Sequence, residues 1–259
     1  MCGRLQNQTA IVTGSSTGIG RAIAHRFAAE GADVVTNSRS EERANETAAE
    51  IEATGGNAVG VAADVTDYDA VRSLVEATVD SFGGVDIMVN NAGVTTVKPT
   101  EELTAEDWRR VIDVDLTGVF FGAQAAGEYM IEAETGGAIL NISSIMGELG
   151  LHKRAPYCSA KGGVNNLTRT LAVEWAKHDI YVNALAPGFI KTEITDQTQE
   201  AADYTDEDIQ KRTPLGEFGT LEEMAECALF LVSRNNYVTG EVLHADGGWS
   251  AYGWGYGDR

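Results

Sequence analysis

Ala10-Ile11-Val12-Thr13 runs straight into Gly14-Ser15-Ser16-Thr17-Gly18-Ile19-Gly20, and from Arg21 the chain takes up helical periodicity. An apolar β-branched run, a glycine-rich turn and a helix in immediate succession read as the opening of a βαβ unit. Glycines at 14, 18 and 20 allow a tight turn and close backbone approach, and the helix N-terminus offers N–H groups to a pyrophosphate. Gly14, Ser16, Thr17, Gly18, Ile19 and Gly20 are therefore candidate dinucleotide contacts. Taken alone, the same stretch also suits an ordinary glycine-rich β–α turn, because its spacing is Gly-x-x-x-Gly-x-Gly and not the tighter dinucleotide fingerprint. The lysine of an ATP-type phosphate loop is absent, which favours a dinucleotide over ATP.

Outward from this unit the alternation continues almost without exception. Strands are expected at 10–13, 33–36, 58–62, 86–89, 138–142, 181–186 and 242–243. Helical segments are expected near 19–30, 41–54, 68–82, 105–132, 156–177 and 221–233. Several of the strands are continuously apolar, as strands buried on both faces are. Such alternation implies parallel pairing through right-handed crossovers. The expected fold is a single Rossmann-type, doubly wound α/β structure: a seven-stranded parallel sheet with helices on both faces. Four prolines and no Ser/Gly/Pro-rich linker make 1–259 one dinucleotide-binding catalytic domain. Thr104 with Asp107 resembles a capping box. The polar, acidic segment 188–220 breaks the pattern and is expected to be a loop with a short helix, serving as a substrate lid.

Bulk composition narrows the partners. Asp and Glu number 39 against 19 Lys and Arg, a net charge of −20. Nucleic acid and anionic membranes both need a basic footprint, so neither is an expected partner. The charge also points to adaptation to high salt, where ions screen self-repulsion. No apolar run approaches a membrane span, and the N-terminus does not look like a signal peptide. Cys2, Cys158 and Cys227 are odd in number and far apart, which suits neither a disulfide framework nor a metal site. A cytoplasmic setting is expected.

Thr36-Asn37-Ser38-Arg39-Ser40 closes the second strand without the acid that would grip the adenine ribose hydroxyls of NAD. Ser38 can hydrogen-bond a 2′-phosphate and Arg39 can neutralise it, so NADP is favoured over NAD; Arg39 otherwise reads as a solvated residue at a helix start. Further along, Tyr157-Cys158-Ser159-Ala160-Lys161 opens a helix, placing Tyr157 and Lys161 on one face at i, i+4. Tyrosine ordinarily titrates near pH ~10, and a neighbouring ammonium stabilises the phenolate, which would make Tyr157 a usable general acid/base; taken alone, the same spacing suits an ordinary helix-surface pair better.

Thr13 to Gly20, Asn90-Asn91-Ala92-Gly93, Asn141-Ile142-Ser143-Ser144, Tyr157 to Lys161 and Pro187-Gly188 stand in the order found in short-chain dehydrogenases/reductases. The chain resembles that family over essentially its whole length, with Asp64-Val65 matching the family's adenine contact. The resemblance implies a nicotinamide-dependent oxidoreductase. It implies that Ser144 hydrogen-bonds the reacting oxygen of the substrate, with Ser143 a rival less well spaced from Tyr157. Tyr157 would pass the proton, and Lys161 would bind the nicotinamide ribose and tune Tyr157. Asn91, Ala92 and Gly93 would line the adenosine side. After Pro187-Gly188, Ile190 and Thr192 would meet the nicotinamide. A bracing role for Asn90 and Asn91 stays open.

One position departs from the family. Many members carry an Asn in the long helix, holding a water that links the Lys to solvent. Asp113-Val114-Asp115-Leu116-Thr117-Gly118 puts Asp115 there. A carboxylate accepts hydrogen bonds only, but it can still orient that water, and its charge would hold Lys161 protonated.

For the substrate, His152-Lys153-Arg154 stands just before Tyr157. It reads equally as an anion clamp with Arg154 at its centre and as a solvated loop. Glu148-Leu149-Gly150 and Ala155-Pro156-Tyr157 resemble the gluconate 5-dehydrogenase branch, which implies a small sugar-acid or sugar substrate. A 3-oxoacyl-thioester reductase is the alternative, and a non-catalytic dinucleotide sensor a more distant one. The aromatic ending Trp249, Tyr252, Trp254 and Tyr256, with Gly118, Phe121, Ala125 and Ala126 on the long helix, is expected to pack between subunits of a homotetramer.

Overall fold

The computed structural model describes residues 3–192, 204–234 and 236–253. Seven strands, β1 (Thr9–Val12), β2 (Asp33–Ser38), β3 (Asn57–Ala62), β4 (Ile87–Asn90), β5 (Gly137–Ile142), β6 (Ile180–Pro187) and β7 (Val242–Ala245), form one sheet. Their order is β3-β2-β1-β4-β5-β6-β7, and every pairing is parallel. This is the doubly wound architecture expected from the sequence, with each strand within two residues of its expected bounds.

The alternation of side chains along the strands explains their unbroken apolarity. Ala10, Val12, Ile87, Val89, Ala138 and Leu140 face one core, which they share with α1 (Gly18–Ala29), α2 (Glu41–Ala53) and α8 (Leu221–Val232). Ile11, Met88, Ile139 and Val182 face the other core, against α3 (Tyr68–Phe82), α5 (Gly118–Glu132) and α6 (Ala155–Trp175). α4 (Ala105–Ile112) and the short α7 (Asp206–Arg212) lie outside this frame. The capping box of Thr104 and Asp107 is present at the start of α4, and Thr205 with Asp208 and Thr220 with Glu223 repeat it at α7 and α8.

One expectation is corrected. The helix expected over 105–132 is broken: a π-helical turn, Asp113–Thr117, separates α4 from α5, for a reason that lies in the site. The residues expected between subunits also have partners within the chain, beginning with Gly118, Ala125 and Ala126. They are buried within the chain, where a Cβ at Gly118 would fall 2.9 Å from Val65, and Phe121 packs on Tyr68 with ring centroids 5.3 Å apart. Trp249 and Tyr252 are likewise engaged internally, as Arg212 lies over both rings and donates to both backbone carbonyls. Trp254 and Tyr256 lie outside the described residues, as does 193–203 of the expected lid.

After β1 the chain winds outward to β2 and β3, then returns to place β4 on the other side of β1. Ligands of open α/β sheets bind at such a switch point, beyond the carboxyl ends of the strands. Here that crevice is bounded by the glycine turn after β1 and by Asn90-Asn91 at the end of β4.

Candidate active site

The glycine turn is held from below by side chains. Thr13 Oγ1 accepts the backbone N–H groups of Asn91 (3.0 Å) and Ala92 (3.1 Å). Asn91 Nδ2 donates to the carbonyls of Thr13 (2.9 Å) and Gly14 (3.0 Å). Asn37 ties the same turn to the next strands: its Oδ1 accepts from Gly14 N, its backbone N–H donates to Ser15 Oγ, and its Nδ2 donates to the carbonyls of Val61 and Ala63. Thr13, Ser15 and Asn37 are supports that the sequence reading passed over, because their partners lie at least 22 residues away. The Asn91 side chain is a brace, and Ala92 and Gly93 follow it on the exposed rim.

Gly14 and Gly18 both have positive φ, 60° and 56°, which other L-residues adopt only with strain. A Cβ at Gly14 would also sit 2.8 Å from the Ala92 backbone, whereas one at Gly18 would project into open space. The first turn of α1 carries no side-chain cap and no acid, while α2, α3, α4, α7 and α8 have both. Uncapped N–H groups beside a glycine cradle suit a pyrophosphate, so Gly14, Ser16, Thr17, Gly18, Ile19 and Gly20 fit the phosphates of a dinucleotide. Ser38 and the exposed Arg39 stand at the end of β2. The Asp64 carboxyl is lowered chiefly by the backbone N–H of Thr66, with a smaller contribution from the Arg39 charge. Val65 is buried against α5, so only its backbone is offered to an adenine. At the far end, Gly188 lets β6 approach Asp246 closely. Ile190 turns its side chain into the core and its backbone pairs in a parallel bridge with Gly219, with Thr192 just beyond.

The second cluster gathers at the end of β5 and the start of α6. Asn90 Nδ2 donates to Asn141 Oδ1, and Asn141 Nδ2 to Thr168 Oγ1, both at 2.9 Å, locking β4, β5 and α6 together. Ser143 turns inward onto Asn165. Ser144 Oγ accepts from Met146 N at 3.1 Å, which leaves its own proton to donate. Lys161 is buried, donates to the Ile142 carbonyl at 2.9 Å, and holds its ammonium 5.6 Å from the centre of the Tyr157 ring.

Asp115 lies beneath this pair. It is fully buried, its Oδ1 accepts from Val94 N at 2.7 Å, and its Oδ2 is 3.3 Å from Lys161 Nζ. Burial pushes the carboxyl above its usual range, while the ammonium and the N–H act against that shift. These two contacts account for the π turn, since the extra residue in the turn carries Asp115 inward. Arg154 is neither a solvated loop residue nor close-packed against acid. It is 5% exposed, and its Nη1 donates to Thr95 Oγ1 at 3.1 Å. Arg110 reaches the same loop, donating to Thr95 O and Thr96 Oγ1. Among the described residues no group of acids, histidines and cysteines could hold a metal ion, and no helix is long and apolar enough to cross a membrane.

Comparison with known proteins places this geometry in a lineage. The family model described as "Enoyl-(Acyl carrier protein) reductase" matches residues 14–250. A 3beta-hydroxysteroid dehydrogenase 1 of Eggerthella lenta is 44% identical, over 96% of this chain and 95% of that protein. Glucose 1-dehydrogenase 2 of Bacillus subtilis is 43% identical, over 96% of each. The crystal structure of a gluconate 5-dehydrogenase from Burkholderia cenocepacia, in complex with NADP and tartrate, superposes with a TM-score of 0.91 at 36% identity, covering 96% of this chain and 97% of that one. The glycine cradle, the parallel sheet and these near-complete matches together make the chain a member of the short-chain dehydrogenase/reductase family, an NAD(P)-dependent oxidoreductase.

Proposed function

We propose that the protein interconverts a secondary alcohol and a ketone on a sugar acid or sugar, using NADP in preference to NAD. The observation that carries the reading is the Lys161 ammonium set against the Tyr157 ring, with Ser144 at the end of the neighbouring β5 keeping a hydroxyl proton to donate. In the oxidising direction Ser144 holds the substrate oxygen, the substrate O–H proton passes to Tyr157 Oη, and Lys161 stabilises the phenolate that receives it. The dinucleotide supplies the hydride acceptor for oxidation and the donor for reduction. Lys161 binds the nicotinamide ribose, and Asp115 orients the water through which its proton is replaced. Asn91, Ala92 and Gly93 line the adenosine side with Asp64 and Val65. Pro187, Gly188, Ile190 and Thr192 border the nicotinamide, and Ser38 with Arg39 receives the 2′-phosphate.

Arg154 supports an anionic substrate. A buried guanidinium is costly without a counter-charge, and among the described residues Arg154 meets a hydroxyl and no carboxylate. A substrate carboxylate would supply the missing partner. The rival reading, reduction of a 3-oxoacyl thioester, is favoured by a 40% identical relative, the 3-oxoacyl-[acyl-carrier-protein] reductase FabG of Thermotoga maritima. The charge of −20 opposes docking of an acidic carrier protein, though a CoA thioester would escape that objection. The test is turnover of gluconate, glucose, a 3β-hydroxysteroid and acetoacetyl-CoA by the native chain and by Arg154→Met. The expected result is a loss of roughly 10–100-fold in kcat/KM for gluconate alone, the scale of a charge-assisted contact. Turnover of acetoacetyl-CoA without gluconate would establish the rival.

The same reading makes the protein a cytoplasmic, salt-adapted homotetramer with 188–220 as its lid. The exposed Trp108 of α4 and Phe120 of α5 support subunit contact, since large apolar side chains in solvent mark interaction surfaces. A monomer in sedimentation would remove the tetramer.

A further inference from the structure

Asp115 presents a problem of charge. At 0% exposure, an ionised carboxylate carries a desolvation cost of several kcal/mol, and the fold does not require it. The Val94 N–H would bond equally well to the amide oxygen of an Asn. What only a carboxylate offers is its charge, and that charge is aimed at Lys161 Nζ, 3.3 Å from Oδ2. The remaining surroundings offer no other use for it. Arg110 approaches from α4, but its Nη2 is bonded to Thr95 O and Thr96 Oγ1. Asp113 on the same turn is exposed, and α5 brings no ionisable side chain before Glu128. Lys161 and Tyr157 of α6 are the groups left to respond. Gly93 closes the space above, where a Cβ would fall 3.1 Å from Oδ2.

Two consequences follow from electrostatics. The ammonium is fixed between Asp115 and the Ile142 carbonyl, which holds it against the Tyr157 ring. The negative charge also offsets part of the field by which that ammonium stabilises a phenolate. We propose that Asp115 is a positioning residue whose negative charge sets the working pH of the Tyr157–Lys161 pair, keeping the proton on that pair to a higher pH than a neutral residue would. This rests on Tyr157 and Lys161 being the proton-handling pair.

The test is a titration of tyrosinate absorbance without substrate, with Tyr157→Phe subtracted to isolate the Tyr157 signal. Removing one charge from a partly screened interior moves the Tyr157 midpoint to lower pH by roughly one to two units in Asp115→Asn. The acid limb of the pH profile for alcohol oxidation moves the same way. A midpoint unchanged in a variant with native circular dichroism overturns the proposal. Removing both members of a buried pair is better tolerated than removing one, so Lys161→Met and Lys161→Met with Asp115→Asn form a second arm. The double variant is expected to titrate about one unit or more below Lys161→Met, and equality again overturns the proposal. Failure of the underlying reading would look different: Tyr157→Phe would keep its activity whatever the titrations gave.

Discussion

Gly20→Ala is expected to loosen the phosphate turn from the side away from the ligand. Gly20 lies in the first turn of α1, where a helix would ordinarily gain from alanine by about 1 kcal/mol. Its position forbids that gain, because the new Cβ would lie 2.3 Å from Asn91 Nδ2 and 2.7 Å from Gly14 O. To admit it, Asn91 must release its bonds to Thr13 O and Gly14 O, a loss of about 2 kcal/mol at ~1 kcal/mol each. The Gly14 backbone must also give way, at ~1–3 kcal/mol for an overpacked interior. The net destabilisation is roughly 2–4 kcal/mol, which for a chain of this size lowers Tm by roughly 5–12 °C. Thermal denaturation and fluorescence titration with NADPH read the two effects, stability and dinucleotide affinity. In an Asn91→Ala background the same substitution costs about 1–2 kcal/mol less, since partners in one network do not add. A Gly20→Ala variant as stable as the native chain, with unchanged affinity, would show that Asn91 does not support the turn.

Other outcomes follow from single residues. Asp107 is held at about 2, below 3.8, first by the Thr104 backbone N–H and then by Lys98. A lowered carboxyl stabilises fully above its unfolded value, so the deficit of Asp107→Asn at pH 7 should shrink as the pH falls from 3.8 through about 2; a deficit unchanged between pH 7 and pH 2 would contradict this. Arg39→Ala should lower the NADP-to-NAD ratio of specificity constants roughly 10–100-fold, and an unchanged ratio would remove Arg39 from the 2′-phosphate. Melting in molar KCl should exceed melting in dilute buffer if the charge of −20 is a salt adaptation; equal stability would end that reading.

Much of the architecture was legible because it is written in short-range pattern. Continuous apolar runs such as Ala138 to Leu140 show burial on both faces, and Thr104 with Asp107 announces a helix start within four residues. What escaped depends on partners distant in sequence. Helical periodicity runs unbroken through Asp113 to Thr117, and the π turn there becomes intelligible only with Val94 and Lys161 beside Asp115. Asn37 reads as a strand-end residue until β3 and the glycine turn are both beside it. The basic run before Tyr157 gives no sign that Arg154 is buried on Thr95 while His152 stays exposed. Small residues on α5 suit a helix contact of any origin, and within the chain Gly118 meets Val65.

The most direct test of the account is Tyr157→Phe, which keeps the ring over Lys161 and removes only the hydroxyl. Fluorescence titration should find NADPH bound as in the native chain, while turnover of the substrate found in the panel falls about 10²–10⁴-fold, the share of a general acid/base. Turnover at the native rate with the ring oxygen gone would contradict it.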